Sequence, residues 1–170
     1  MVDYRYAFQG YDKEHMAKAV SHALPISTKA SIEICRTLRF RSLSFAKRLL
    51  QDVAVLKRAV PYKRFRRDVG HKPGMASGRY PQKASSAILS VLKSAEANAQ
   101  MKGMHTLHLH IVHICAHRAY RPLRVGGRQS KRTHIEVVLQ EKTQEKKKEP
   151  QKLHSSEKTH KPIVKKSGAQ

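Results

Sequence analysis

LHLHIVHICAHRAYRPLRVGGRQSKRTHIEVVLQEK, residues 107–142, decides the fold. Two runs rich in Leu, Ile and Val flank a middle, residues 118–132, that holds six Arg or Lys, two adjacent glycines and no Asp or Glu. Apolar runs of strand length on either side of Gly126-Gly127, a dipeptide tolerant of positive φ, predict an extended β-hairpin with a basic tip. The first run alternates imperfectly. Leu107, Leu109 and Ile111 fall on one face with His113 and Cys115, while His108, His110, Val112 and Ile114 fall on the other. That change of phase predicts a bulge near Ile111-Val112, or burial on both faces. The second run keeps its phase, with Ile135, Val137 and Leu139 together. A tip with no internal counter-ions calls for a polyanion.

Composition says the same of the whole chain. The 170 residues carry a formal net charge of +23, a store of self-repulsion that an anionic partner relieves. Nucleic acid is the leading partner, because each phosphate neutralised by Lys or Arg releases condensed counter-ions. A membrane surface fits poorly. No run approaches the apolar length of a spanning helix, and no helix joins a large apolar face to a cationic one. Cys35 and Cys115 stand far apart without paired spacing, so they read as free thiols. The first fifteen residues contain Asp3, Asp12 and Glu14 and no secretory apolar core, which argues against a transit or signal peptide and for cytosol or nucleus.

Length predicts one domain with appendages. Residues 1–26 are read as an N-terminal extension with a short strand in which Tyr4, Tyr6 and Phe8 share a face. Met16, Ala19, Val20, Ala23 and Leu24 lie at roughly helical spacing before Pro25. A first helix runs from Ser27 or Thr28 to about Leu38, with Ile32, Ile34, Cys35 and Leu38 near one face. Past the basic link RTLRFRS, a second runs from Ser44 to about Arg58 on the stripe Ala46, Leu49, Leu50, Val53 and Leu56, and Pro61 ends it. A third has Pro81 in its first turn and Gly103 past its end. Its face of Ala84, Ala87, Ile88, Val91, Leu92, Ala95 and Ala99 is small enough for close approach, which makes it the central packing element. The tail, residues 143–170, is rich in Lys and Glu and is expected to be disordered.

Between the second and third helices, the basic loop 61–80 holds Lys63, Arg64, Arg66, Arg67, Lys72 and Arg79 around a lone Asp68, with Tyr62 and Phe65 interleaved. It is read as an irregular loop that orders on binding; cations mixed with aromatics and glycines suit RNA, where guanidinium groups pair with phosphate and rings stack on splayed bases. The plainer reading is a solvated loop that aids solubility. Lys83 is left for solvent or phosphate.

Catalysis finds little support. Five histidines between His105 and His117 invite a metal reading in which His113, Cys115 and His117 share a strand face and Cys35 adds a ligand. Compact Cys/His pairs of structural zinc sites are absent, and VGHKPG and VGG lack the strand-to-helix context of a phosphate loop. The expectation is no metal, no cofactor and no enzyme.

The stretches AVPYKRFRRDVGHKPGM, SGRYPQKASSAILSVLKSAEANAQMKGM, RAYR and HIEVVLQEK, in this order, resemble the large-subunit ribosomal protein family universal number twenty-two, called seventeen in eukaryotes. GRYPQKAS followed by VLKSAEANAQMKG, and the opening MVDYRYAF, are similar to its archaeal and eukaryotic branch. The resemblance covers about residues 27–142. It implies an α+β body, three helices on a small antiparallel sheet, and a protruding β-hairpin that passes through ribosomal RNA toward the peptide exit tunnel. Carried onto this chain, the RNA-binding domain is 27–142 and the hairpin 107–140. Arg121, Pro122, Leu123, Arg124, Val125, Gly126, Gly127 and Arg128 form the tip. Arg118, Tyr120 and Arg121 match the family's basic-aromatic motif and Gly127-Arg128 its later Gly-Arg pair. Arg124, Lys131 and Arg132 complete the RNA-binding set of the hairpin. The implied partners are large-subunit ribosomal RNA, neighbouring large-subunit proteins and the nascent peptide, with no membrane and no homo-oligomer. The implied location is the cytosolic ribosome, with nucleolar assembly.

This sequence departs from the family in two places. Its hairpin loop is several residues shorter than is usual in the eukaryotic branch; four residues lost from each arm would retract the tip by about 13 Å. The first inter-helix link also lacks a glycine often found there. Beside the ribosomal reading stands a free nucleic-acid-binding regulator that inserts its hairpin into a groove. A tip of Pro, two Gly and distributed Arg is unlike the stiff, registered ribbon such a reader needs.

Overall fold

The computed structural model describes residues 4–141; the Lys-rich tail lies outside them. The fold is α+β. Strands β1 (Met16–Leu24), β5 (Leu109–Arg118) and β6 (Thr133–Glu141) form an antiparallel sheet in the order β1-β6-β5. A smaller antiparallel sheet, in the order β2-β4-β3, joins β2 (Val60–Pro61), β3 (His71–Lys72) and β4 (Met75–Arg79). Helices α1 (Thr28–Leu38), α2 (Leu43–Ala54) and α3 (Gln82–Met101) cover the inner face of the larger sheet.

Strand β6 is central and buried on both faces. Ile135, Val137 and Leu139 point into the core, and Glu136 and Val138 on the other side are equally closed to solvent. On β5 the register slips between Ile111 and His113, so Val112 is an extra residue. Ile111 and Ile114 are thereby both buried in the core, which is the bulge that the phase change predicts. The β5 edge is covered at its start by the α1–α2 link, where Phe40 N–H donates to Ile111 O at 2.9 Å and Ile111 N–H to Arg41 O at 2.9 Å.

The N-terminal expectations need correcting. Residues 16–24 are a strand, although their spacing suggested a helix. Alanine favours helix locally, but β6 has an edge to fill, and Ala17 and Ala19 are small enough to pack beneath α3. Tyr4, Tyr6 and Phe8 form no strand. They cross the outer face of the sheet and pack there: Tyr4 edge-to-face with Tyr6 and His22, Phe8 tilted against His113.

Helix α2 also stops short of the expected Arg58, at Ala54. Leu56 adopts φ 65°, and the amides of Lys57 and Arg58 turn back to Asp52 O, so the chain has left the helix before Pro61 acts. Leu56 is 53% exposed and outside the stripe. The basic loop likewise departs from its expectation, since β2, β3 and β4 give it structure without a partner. Buried Gly78 helps here: a Cβ there would lie 2.9 Å from both Lys72 Cγ and Met75 Sδ, so a larger residue would displace those two side chains, which pack over it from β3 and β4. Helix α3 behaves as its small face predicts, with Ala84, Ile88, Val91, Leu92, Ala95 and Ala99 buried against β1, β6 and α2.

Candidate nucleic-acid interface

One face of the interface is built on Glu33. This residue lies in α1, is 1% exposed, and accepts three hydrogen bonds from the main chain after β2. Its Oε2 takes Lys63 N–H at 3.1 Å, and Oε1 takes Arg64 and Phe65 N–H at 2.8 and 2.7 Å. Both oxygens are spent on amides, so the cations of the turn keep their charge for solvent or a ligand. The turn is fastened again by Arg67 Nε to Lys63 O at 2.8 Å and by Ser77 Oγ to Arg67 O. Arg66 is held at φ 54°, a conformation that a non-glycine residue keeps only when its surroundings impose it. Lys63, Arg64, Arg66 and Arg67 are exposed as a result. Lys72 lies over the Tyr80 ring at 5.4 Å and is partly covered, and Arg79 is exposed at the end of β4.

The second face is the hairpin. Pairing continues past the strands: Ala119 N–H donates to Arg132 O at 3.1 Å, Ser130 N–H to Pro122 O at 3.1 Å, and Arg124 N–H to Arg128 O at 2.6 Å. Gly126 and Gly127 close the turn at φ 77° and 70°, as the dipeptide predicts. Arg124 lies six residue steps beyond Arg118, a finger of roughly 20 Å. Tyr120, Leu123 and Val125 are 84%, 71% and 99% exposed on it, beside exposed Arg118, Arg124, Arg128 and Lys131. Arg121 and Arg132 are partly covered. Arg121 Nε is buried with no hydrogen-bond partner among the described residues, and Arg132 donates to Ala23 O at 3.0 Å. Lys83 belongs to neither face, for it lines a groove between β1 and α3 with Val20 and Ser21. Among the described residues, none of the cations proposed for RNA makes a salt bridge.

A buried acid escaped the sequence reading on the outer sheet face. Glu136 is 0% exposed and accepts His113 Nε2 at 2.7 Å, His117 Nε2 at 3.1 Å and Ala7 N–H at 3.2 Å. Burial pushes its carboxyl up, but the hydrogen bonds from His113, His117 and Ala7 outweigh this and hold it below the usual carboxylate range. Burial and the nearby Glu136 carboxylate push the Tyr4 hydroxyl up to about 12. His113, Cys115 and Glu136 bring ligand-type atoms within 4.8 Å of one another. Cys35, the fourth metal ligand that the sequence suggested, is instead buried in the core, where desolvation raises its thiol. Glu136 thus ties the N-terminal arm to the sheet. The available signal was a lone acid in an apolar strand.

The molecule is therefore a small α+β scaffold that presents a cationic turn and a cationic finger whose Arg and Lys side chains make no salt bridge among the described residues. The chain belongs to the family described as Ribosomal protein L22p/L17e, whose model matches residues 19–140. It is 45% identical over 148 residues to the large ribosomal subunit protein uL22 of Methanosphaera stadtmanae, covering 80% of this chain and 96% of that one. The protein of the same name from Archaeoglobus fulgidus is 40% identical over 152 residues, with 82% and 97% covered. That of Cenarchaeum symbiosum is 37% identical over 151 residues, with 83% and 99% covered. The family is one of ribosomal proteins and not of enzymes.

Proposed function

We propose that this protein is a structural constituent of the cytoplasmic large ribosomal subunit and binds its ribosomal RNA. The observation that carries this reading is the finger of residues 119–132, a paired hairpin with exposed Arg, Lys, Tyr, Leu and Val and no acid. A free protein gains nothing from such an extension. Packed in RNA, its guanidinium groups meet phosphates, and its apolar side chains leave water against bases or neighbouring large-subunit proteins. The Glu33-held turn supplies a second phosphate-facing surface through Lys63, Arg64, Arg66 and Arg67, with Lys72, Arg79 and Lys83 adding charge around the body.

The finger is directed toward the peptide exit tunnel, where the nascent peptide becomes a transient neighbour, and its short arms set the tip back. One copy serves each subunit, with no homo-oligomer. In a cell with a nucleolus, assembly begins there. Binding is read through phosphate and shape, so RNA affinity falls steeply with salt. Density for this chain in intact ribosomes is the expected result; its absence from purified large subunits overturns the proposal. Crosslinkers placed at Leu123 or Val125 test the tip. Labelling of a stalled nascent chain supports the tunnel position, whereas labelling confined to RNA removes it and leaves RNA binding intact.

A further inference from the structure

Between α1 and the outer part of β5 lies a cleft of about 450 Å³, within the range of about 300–1,000 Å³ typical of small-ligand sites. Partly exposed Ile32 and Ala116 give it apolar walls over the buried Ile114, and Arg36, Arg39 and Arg64 surround it. Each arginine arrives for a local reason. Arg36 occupies the last turn of α1, Arg39 caps that helix, and Arg64 is fixed through its own amide to Glu33. All three are exposed, and none has a carboxylate partner among the described residues. Arg39 Nη2 meets only neutral acceptors, Ile114 O at 3.4 Å and Cys115 Sγ at 3.8 Å. Glu33 is buried on the same helix with both oxygens taken by amides, so the charge around the cleft stays positive.

We infer that this cleft holds one unstacked nucleotide of the bound RNA, with the base against Ile32 and Ala116 and the flanking phosphates on Arg36, Arg39 and Arg64. The inference rests on the proposed RNA binding and adds a specific receptor to it. An apolar slot ringed by guanidinium groups suits a splayed base, whose faces are apolar and whose backbone is anionic. A continuous duplex would reach the arginines but leave the slot empty.

Cys115 borders the cleft and is partly exposed, whereas Cys35 is buried and its thiol is raised by desolvation, so maleimide should distinguish them. The full chain is mixed with protein-free large-subunit ribosomal RNA from an archaeal relative, and Cys115 alkylation and the RNA footprint are followed together. RNA is expected to slow alkylation of Cys115 at least about tenfold, while millimolar adenosine monophosphate leaves it unchanged. Arg36→Ala with Arg39→Ala, both exposed and therefore compatible with folding, should weaken binding about tenfold and erase protection at one or two nucleotides while the rest of the footprint persists. A wild-type footprint with unprotected Cys115 and no change in the double variant overturns the cleft and leaves RNA binding standing. Protection by adenosine monophosphate equal to that by RNA reassigns the cleft to free nucleotides. No footprint from the wild-type chain overturns both readings.

Discussion

Glu33 and Glu136 are the two acids that organise this cationic protein, and they do so by opposite means. Glu33 spends its charge on main-chain amides and so shapes the turn that carries Lys63 to Arg67. Glu33→Ala strands three N–H groups and is expected to cost about 3 kcal/mol, with Glu33→Gln less damaging because one acceptor survives. Chemical denaturation gives the loss, and faster hydrogen exchange confined to residues 63–65 locates it. Glu136 spends its charge on histidines and on the arm, which makes stability depend on pH. Its carboxyl is depressed in the fold, so its contribution is present above the ordinary carboxylate value of about 4.3 and is lost as pH falls through the lower folded value. His134 is also depressed, by burial and then by His22 and His117. Its contribution is present above the ordinary imidazole value of about 6.5 and fades as pH drops toward the folded one. Thermal midpoints measured from about pH 8 to pH 3 should therefore fall in two stages. His134→Gln flattens the first and Glu136→Gln the second; unchanged profiles would refute these assignments.

Elements differ in how far their local sequence commits them. The hairpin needs little help: β-branched runs, two glycines and a phase change specify strands, turn and bulge, and all three are present, although the first strand starts at Leu109 and the expected Leu107 lies exposed in a 3-10 turn before it. Helix α2 shows the reverse. Its apolar stripe continues to Leu56, but the helix breaks at Ala54 and places Leu56 at φ 65°, where a branched side chain is strained by about 1–2 kcal/mol. Leu56→Gly relieves that strain at a residue already half in solvent. A rise in thermal midpoint is expected, and a fall would show that the exposed leucine contributes more by contact than its backbone costs.

At the scale of the whole molecule, α3 is the piece on which the rest is assembled, because its alanines let β1, β6 and α2 approach together. Ala95 is 0% exposed within that contact. Ala95→Leu has no room and is expected to destabilise by about 1–3 kcal/mol, while exposed Ala97→Leu on the same helix stays near neutral. Denaturant titration of the pair separates packing from helix propensity. The same close packing brings α1 up to β5, and so creates the Arg36, Arg39 and Arg64 cleft from segments far apart in the chain.

By itself the sequence determined the presence of three helices (though not where α2 ends), the bulged hairpin with its glycine turn and the positions of the uncompensated cations. Each of these follows from periodicity, turn chemistry or charge within a few dozen neighbouring residues. Only the tertiary structure decided the rest. Residues 16–24 became a strand because β6 offered an unpaired edge, and an alanine-rich segment has too weak a local preference to announce that. Tyr4, Tyr6 and Phe8 lost their strand because the outer sheet face offered packing partners and a buried carboxylate. The functions of Glu33 and Glu136 were hidden for the same reason: a buried acid is defined by donors more than twenty residues away in sequence for Glu33, and more than a hundred away for the arm that Glu136 holds.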